Sequence, residues 1–158
     1  MFTGLRVGVV TAKSLAYAGK ADLVAVSALD AIAAQTFAAL PEAAGINLHV
    51  AINAQRQQLF AAQFRYLGPW RVEKHVPDQI VDQSQFVAGL KSGDFVAGTG
   101  LKPLIETIAA EPDVTATAPE TWELTASSVG QVGTAMYAAG HRDDYLKVEP
   151  LYLSLIHI

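Results

Sequence analysis

The sequence predicts an α/β fold, and three observations carry that expectation. Apolar residues recur at helical spacing in the first twenty positions, alternate with period two between Leu48 and Tyr66, and return to helical spacing before Gly140. Short apolar runs are interleaved with these helical stretches along the chain, which is the order of a layered α/β domain with some antiparallel pairing.

The first helix opens at residue 2. Leu5, Val9, Ala12 and Ala16 form one stripe along it, and Gly4, Gly8 and Ala12 put small residues on an overlapping face. An interior glycine costs about 1 kcal/mol relative to alanine, so two of them suggest that another backbone packs close against this helix. Leu23 to Val26 reads as a short strand. Ser27-Ala-Leu-Asp30 then resembles a capping box opening an alanine-rich helix to Ala39.

Leu48, Val50 and Ile52 alternate with His49, Ala51 and Asn53, and beyond a turn Phe60, Ala62, Phe64 and Tyr66 do the same. That pattern is a hairpin, although its turn, Ala54-Gln-Arg-Gln57, has no Asn-Gly chemistry. Gly68-Pro69 punctuates the chain before a third strand over Arg71 to Val76, and Ile80 to Leu90 reads as a helix stopped by Lys91-Ser-Gly93. Asp94 to Ala97 is a buried-strand candidate running into Gly98-Thr-Gly100, with a helix from Leu101 to Ala109 and a brief strand over Val114 to Ala116. A last helix opens at Pro119 or Thr121 and runs to Ala139, with Val129, Val132 and Met136 as its stripe and Gly140 as its stop.

At 158 residues the chain is the size of one domain, and its 51% hydrophobic and 16% charged residues argue against disorder. A formal net charge of −4 disfavours direct nucleic-acid binding. The absence of cysteine excludes disulfides, Cys-ligated zinc and a Cys nucleophile. His49, His75, His141 and His157 are far apart and form no His-x-x-x-His pair, so no metal site is expected. No apolar run reaches the length of a membrane span, and with no cysteine in the chain the cytoplasm is the simplest compartment.

Gly98-Thr-Gly100 lies where a strand passes into a helix, where its amides could cradle a phosphate. It lacks the lysine of a Walker loop and the third glycine of a dinucleotide fingerprint, so a structural turn is the stronger reading. Ser27 and Ser84 stand near helix starts, where capping explains a serine, and there is no Gly-x-Ser-x-Gly elbow. Asp143 and Asp144, beside Arg142, read as solvated loop charges. Arg56, with Asn53 before it, is the one polar cluster that capping does not explain. Residue chemistry therefore supplies no complete acid–base pair, nucleophile or cofactor cradle. No catalytic residue and no cofactor are assigned, and a partner-binding role gains.

Phe2-Thr-Gly-Leu-Arg-Val-Gly8, Thr11-Ala-Lys-Ser-Leu-Ala16, Val24-Ala-Val-Ser-Ala-Leu29, Ala51-Ile-Asn-Ala-Gln-Arg56 and Val148-Glu-Pro-Leu-Tyr-Leu153 together resemble the TsaB (YeaZ) family. The resemblance runs from Phe2 to Leu153. It implies an actin-like (ASKHA, ribonuclease H-like) fold, with residues 1–45 as the remnant of an N-terminal lobe and 46–153 as a C-terminal glycoprotease-like lobe with a mixed sheet. Family members precede Phe-Thr-Gly with Gly-Pro-Gly-Ser and with strands and a helix of the first lobe, so the chain resembles an N-terminally truncated fragment. Residues 154–158, which follow Leu153 where the family continues with arginine, read as a non-native tail.

The resemblance further implies a non-catalytic scaffold subunit that binds and activates TsaD. TsaD is the subunit that transfers a threonylcarbamoyl group to the adenosine beside a tRNA anticodon. The implied partners are TsaD in a heterodimer or a second copy of the chain, with TsaE reached through the complex, tRNA contacted only indirectly, and no membrane. By that carry-over the partner faces Thr3, Arg6, Val7, Val10, Thr11 and Ser14, while Leu5 and Val9 face their own lobe. The competing reading is an enzyme, either a glycoprotease-like hydrolase or a nucleotide-binding ASKHA protein. One departure bears on the hairpin turn: the family has Ile-Asp-Ala-Arg and then glycine where this chain has Ile52-Asn-Ala-Gln-Arg56-Gln57.

Overall fold

A computed structural model describes residues 2–151. The expectations placed on Met1, Tyr152, Leu153 and the 154–158 tail lie outside the described residues. The elements are α1 (Phe2–Gly19), α2 (Ala28–Ala39), β1 (Asn47–Gln55), β2 (Gln58–Gly68), β3 (Arg71–Asp82), α3 (Gln83–Ala88), β4 (Phe95–Ala97), α4 (Ile105–Ala109), β5 (Thr115–Ala116) and α5 (Ala126–Ala138).

The strands form one mixed sheet in the order β3-β2-β1-β4-β5. β1, β2 and β3 are an antiparallel meander, while β4 and β5 run parallel to β1 on its other side. β1 is central, and Leu48, Val50 and Ala51 are fully buried because helices cover both faces of the sheet. One face carries Leu48, Val50, Phe64 and Tyr66. α2 lies on it, with the Phe37 ring tilted against that of Tyr66 at 5.8 Å between centroids. Its alanines, among them the fully buried Ala31 and Ala33, let the helix axis approach closely. The other face carries His49 and Ala51, against which α3 sets Phe86, its ring 6.1 Å from that of His49. The core is continuous from α2 through the sheet to Leu101, Ile108 and Trp122. β3 is a twelve-residue edge. Pro77 and the register shifts along its pairing with β2 make it a poor template for a further strand.

Several expected elements differ, each for a local reason. Leu23 to Val26 is not a strand; it makes one bridge, Leu23 to Asp143, and Ala25 N–H donates to Asp143 Oδ2 at 2.7 Å. Ser27 is the N-cap of α2 but makes no side-chain hydrogen bond, and the Asp30 carboxylate that would complete a capping box instead meets Lys74 Nζ at 2.7 Å. The capping box occurs at Thr125, which accepts from Ser128 N–H at 3.1 Å and donates its own N–H to Ser128 Oγ at 3.4 Å. α5 therefore starts at Ala126, and Pro119–Thr121 is only a 3-10 turn. β3 runs on to Asp82 where a helix from Ile80 was expected, since Ile80 and Val81 pair with Phe60 and Leu59 and the ladder outweighs local periodicity. The expected 101–109 helix is split into a 3-10 segment, Thr99–Leu104, and α4, because Pro103 has no N–H to give.

Gly98-Thr-Gly100 is a packing device. Gly98 has φ +107, and a Cβ there would lie 2.1 Å from Ala51 O; one on Gly100 would lie 2.7 Å from Leu59 Cδ2. The turn can press onto the central strand only if both positions lack a side chain.

Candidate partner-binding face

α1 is eighteen residues long, yet Ala16 is its only fully buried side chain among those described. Val9, Ala12 and Lys13 are half-buried and lie with Ala16 on one side of the helix. Lys13 Nζ donates to Val148 O at 3.0 Å and to Leu146 O at 3.4 Å, and Tyr17 meets Tyr145 at 5.9 Å between ring centroids. α1 is thus tethered through its second half to the 145–148 segment.

The remaining arc is open. Val7 and Val10 are each 61% exposed, and Tyr17, although one side of its ring meets Tyr145, is still 69% exposed. At 100° per residue these three fall on one arc with Thr3, Arg6, Thr11 and Ser14, opposite Val9 and Ala16. All six residues named from the resemblance as partner-facing are exposed. Leu5, expected to face inward, is 48% exposed, since among the described residues none covers it. Gly4 and Gly8 have open space where a Cβ would be, so the close-packed backbone inferred from them is absent among the described residues. Leu146, at 73% exposure, extends the apolar surface alongside Lys13. Monomers rarely leave contiguous apolar area of this kind in water, and each such side chain gains about 1.5–3 kcal/mol on full burial. α1 also carries Arg6 and Lys13, with Lys20 directly after it, and no acidic residue, so its face is apolar with a cationic rim.

The interior polar clusters are structural in character. Asp94 Oδ2 accepts from His49 Nε2 at 2.8 Å and from Lys91 N–H at 2.9 Å, and its Oδ1 accepts from Asn47 Nδ2 at 2.8 Å. These bonds clasp the start of β4 to β1. Burial pushes the His49 imidazole below its usual range despite the adjacent carboxylate, which pulls the other way. The neutral ring therefore donates Nε2–H to Asp94. Burial alone would raise Asp94; the hydrogen bonds from Asn47 and Lys91, together with His49, hold it below the ordinary carboxylate value. A cavity of about 80 Å³ adjoins His49, lined also by Gln63, Gln79 and Phe86, and no hydroxyl or thiol lines it.

On the opposite face Lys74 Nζ bridges Asp30 Oδ1 at 2.7 Å and Asp78 Oδ1 at 2.6 Å, joining α2 to β3. Burial raises the Asp30 carboxyl against the pull of Lys74. Burial would lower Lys74, but its bonds to both aspartates outweigh that and hold it above the usual lysine value. Among the described residues no group of three His, Cys, Asp or Glu could hold a metal ion, and no helix is long and apolar enough to cross a membrane.

The sequence placed Asn53 and Arg56 together in the hairpin turn. In the structure Asn53 Oδ1 accepts from Gln55 N–H at 2.8 Å, and Arg56 is exposed at the tip. The Asn47–His49–Asp94 clasp escaped sequence reasoning because its members are forty-seven positions apart at the widest, and only the parallel register of β1 with β4 brings them together.

Among protein families, the one described as TsaD, tRNA N6-adenosine threonylcarbamoyltransferase, matches residues 1–142. No curated protein matches the sequence. Two solved structures from Pseudomonas aeruginosa share the fold. One is described as YeaZ, with a TM-score of 0.78, 19% identity, and coverage of 97% of this chain and 69% of that one. The other is described as an uncharacterized protein with similarity to the peptidase YeaZ, with a TM-score of 0.76, 19% identity, and coverage of 97% and 68%.

Proposed function

Because the chain belongs to the TsaD family, tRNA N6-adenosine threonylcarbamoyltransferase, we propose that it serves that tRNA-modification system as a TsaB-type scaffold, binding TsaD through α1 and supporting its activity without catalysing a step itself. The observation that carries this reading is the open arc of α1, where Val7, Val10 and Tyr17 are all more than half exposed on a helix that its own chain barely covers. Gly4 and Gly8 flank that arc beyond Thr11 and present no side chain to a partner extending past its edge, at a cost to α1 of about 1 kcal/mol each. TsaE joins through the resulting complex, and tRNA is contacted by way of TsaD.

The competing enzymatic reading has one observation in its favour, the buried pair of His49 and Asp94 at 2.8 Å. His49 is only 5% exposed, and its adjoining cavity offers no nucleophile. Threonylcarbamoyl transfer to tRNA, measured with TsaD alone, with this chain alone and with both together, separates the readings. The scaffold reading expects no turnover from the chain alone and a higher rate from TsaD when the chain is added. Hydrolysis or transfer by the chain alone would overturn it.

A further inference from the structure

A cleft of about 650 Å³ opens where the β1–β2 turn meets α3 and α4, well apart in sequence from α1. Its volume is within the range of small-ligand sites, roughly 300–1,000 Å³. Val87, Ala88 and Leu104 give it an apolar part, and Arg56, Asp82 and Glu111 supply its charges. Among the described residues neither the Arg56 guanidinium nor the Glu111 carboxylate makes a hydrogen bond or ion pair. Two opposite charges thus line one cleft without meeting. Asp82 accepts from Gln58 Nε2 at 3.2 Å, which leaves its second oxygen for another donor.

The turn that carries Arg56 is held in an unusual shape. Gln55, Arg56 and Gln57 have φ of 72°, 49° and 62°, three successive left-handed residues without a glycine. Such strain persists only where surrounding contacts fix it. Here Asn53 Oδ1 accepts from Gln55 N–H at 2.8 Å, and Gln57 O accepts from Gln83 N–H at 2.9 Å at the start of α3. The second bond ties the turn to the cleft wall, and Arg56 is displayed at the rim as a consequence.

We propose that this cleft binds a small basic amino acid, its carboxylate on Arg56, its two ammonium groups on Glu111 and Asp82, and its aliphatic stem along Val87 and Leu104. One cation and two anions give the site a local charge of −1, which the +1 charge of such a ligand neutralises. The site is independent of the α1 face, so its failure would leave the scaffold role untouched.

L-Lysine titrated into the chain by calorimetry, with cadaverine as the analogue lacking a carboxylate, tests the assignment. Saturable one-site binding of lysine is expected. Arg56→Gln should weaken lysine at least about tenfold and leave cadaverine unchanged, Arg56→Lys should restore part of the loss, and Glu111→Gln should weaken both compounds. Arg56 is exposed and Glu111 half-exposed, so thermal melts of all three variants should match the wild type. Absence of saturable lysine binding up to about 50 mM, or binding by Arg56→Gln within about twofold of wild type, overturns the proposal.

Discussion

Alanine substitutions at three glycines isolate what each glycine does. At Gly98 two penalties coincide: φ +107 is a backbone region that side chains rarely adopt, and the new Cβ would stand 2.1 Å from Ala51 O. Ala51 belongs to the central strand and is paired with Ala61, so it cannot retreat without breaking the ladder. Backbone strain of about 1–3 kcal/mol and overpacking of about 1–3 kcal/mol together predict a loss of about 2–6 kcal/mol for Gly98→Ala. Gly45 has φ +79 with open space around it, so Gly45→Ala should cost only the left-handed penalty, about 1–2 kcal/mol. Gly8 has neither constraint, and Gly8→Ala should stabilise α1 by about 1 kcal/mol. Urea unfolding followed by circular dichroism measures all three, and a Gly98→Ala chain already unfolded in buffer counts as the large loss. A Gly98→Ala variant as stable as Gly45→Ala would refute the packing role assigned to the Gly-Thr-Gly turn.

Lys74→Met should leave Asp30 and Asp78 half-buried without their shared cation and cost about 3 kcal/mol in urea unfolding; a cost below about 0.5 kcal/mol would contradict the staple. His49 has a folded pKa below its ordinary 6.5, so the folded state resists its protonation. Its contribution is complete above pH 6.5 and declines as pH falls through the lowered value. The stability difference between wild type and His49→Gln should therefore shrink on acidification below that pH, and a difference that grows would overturn the neutral assignment. Trp122 Nε1–H donates to Thr117 Oγ1 at 3.1 Å in the interior. Thr117→Val should cost about 1–3 kcal/mol and shift Trp122 fluorescence; an unchanged spectrum and midpoint would refute that bond.

The α/β class, the β1–β2 hairpin and the buried β4 were legible because apolar alternation and burial coincide there. β3 was read short because Ile80 and Val81 sit next to a helix, and only their partners Phe60 and Leu59 reveal the ladder. Leu23 to Val26 has strand composition but, among the described residues, only the single bridge to Asp143 to pair with, which no local pattern records. The start of α5 was missed because its capping box uses Ser128 in place of the usual Glu or Gln. For the candidate face, periodicity gave the Leu5, Val9, Ala12 and Ala16 stripe and the family resemblance set Val7 and Val10 apart from it, but neither could tell that among the described residues Leu5 stays half exposed. The strained Arg56 turn carried only a negative signal, the lack of Asn-Gly at a hairpin tip.

The scaffold role stands or falls on whether α1 is the docking surface. Titration of TsaD with the wild-type chain and with Val7→Asp/Val10→Asp, by calorimetry, addresses this directly. Both valines are 61% exposed in the free chain, so the substitutions should leave the melting midpoint nearly unchanged. At about 1.5 kcal/mol or more for each valine buried on docking, the double variant should bind at least about a hundredfold more weakly than wild type. Wild-type chain that does not bind TsaD, or a double variant that binds within about threefold of it, would contradict the account.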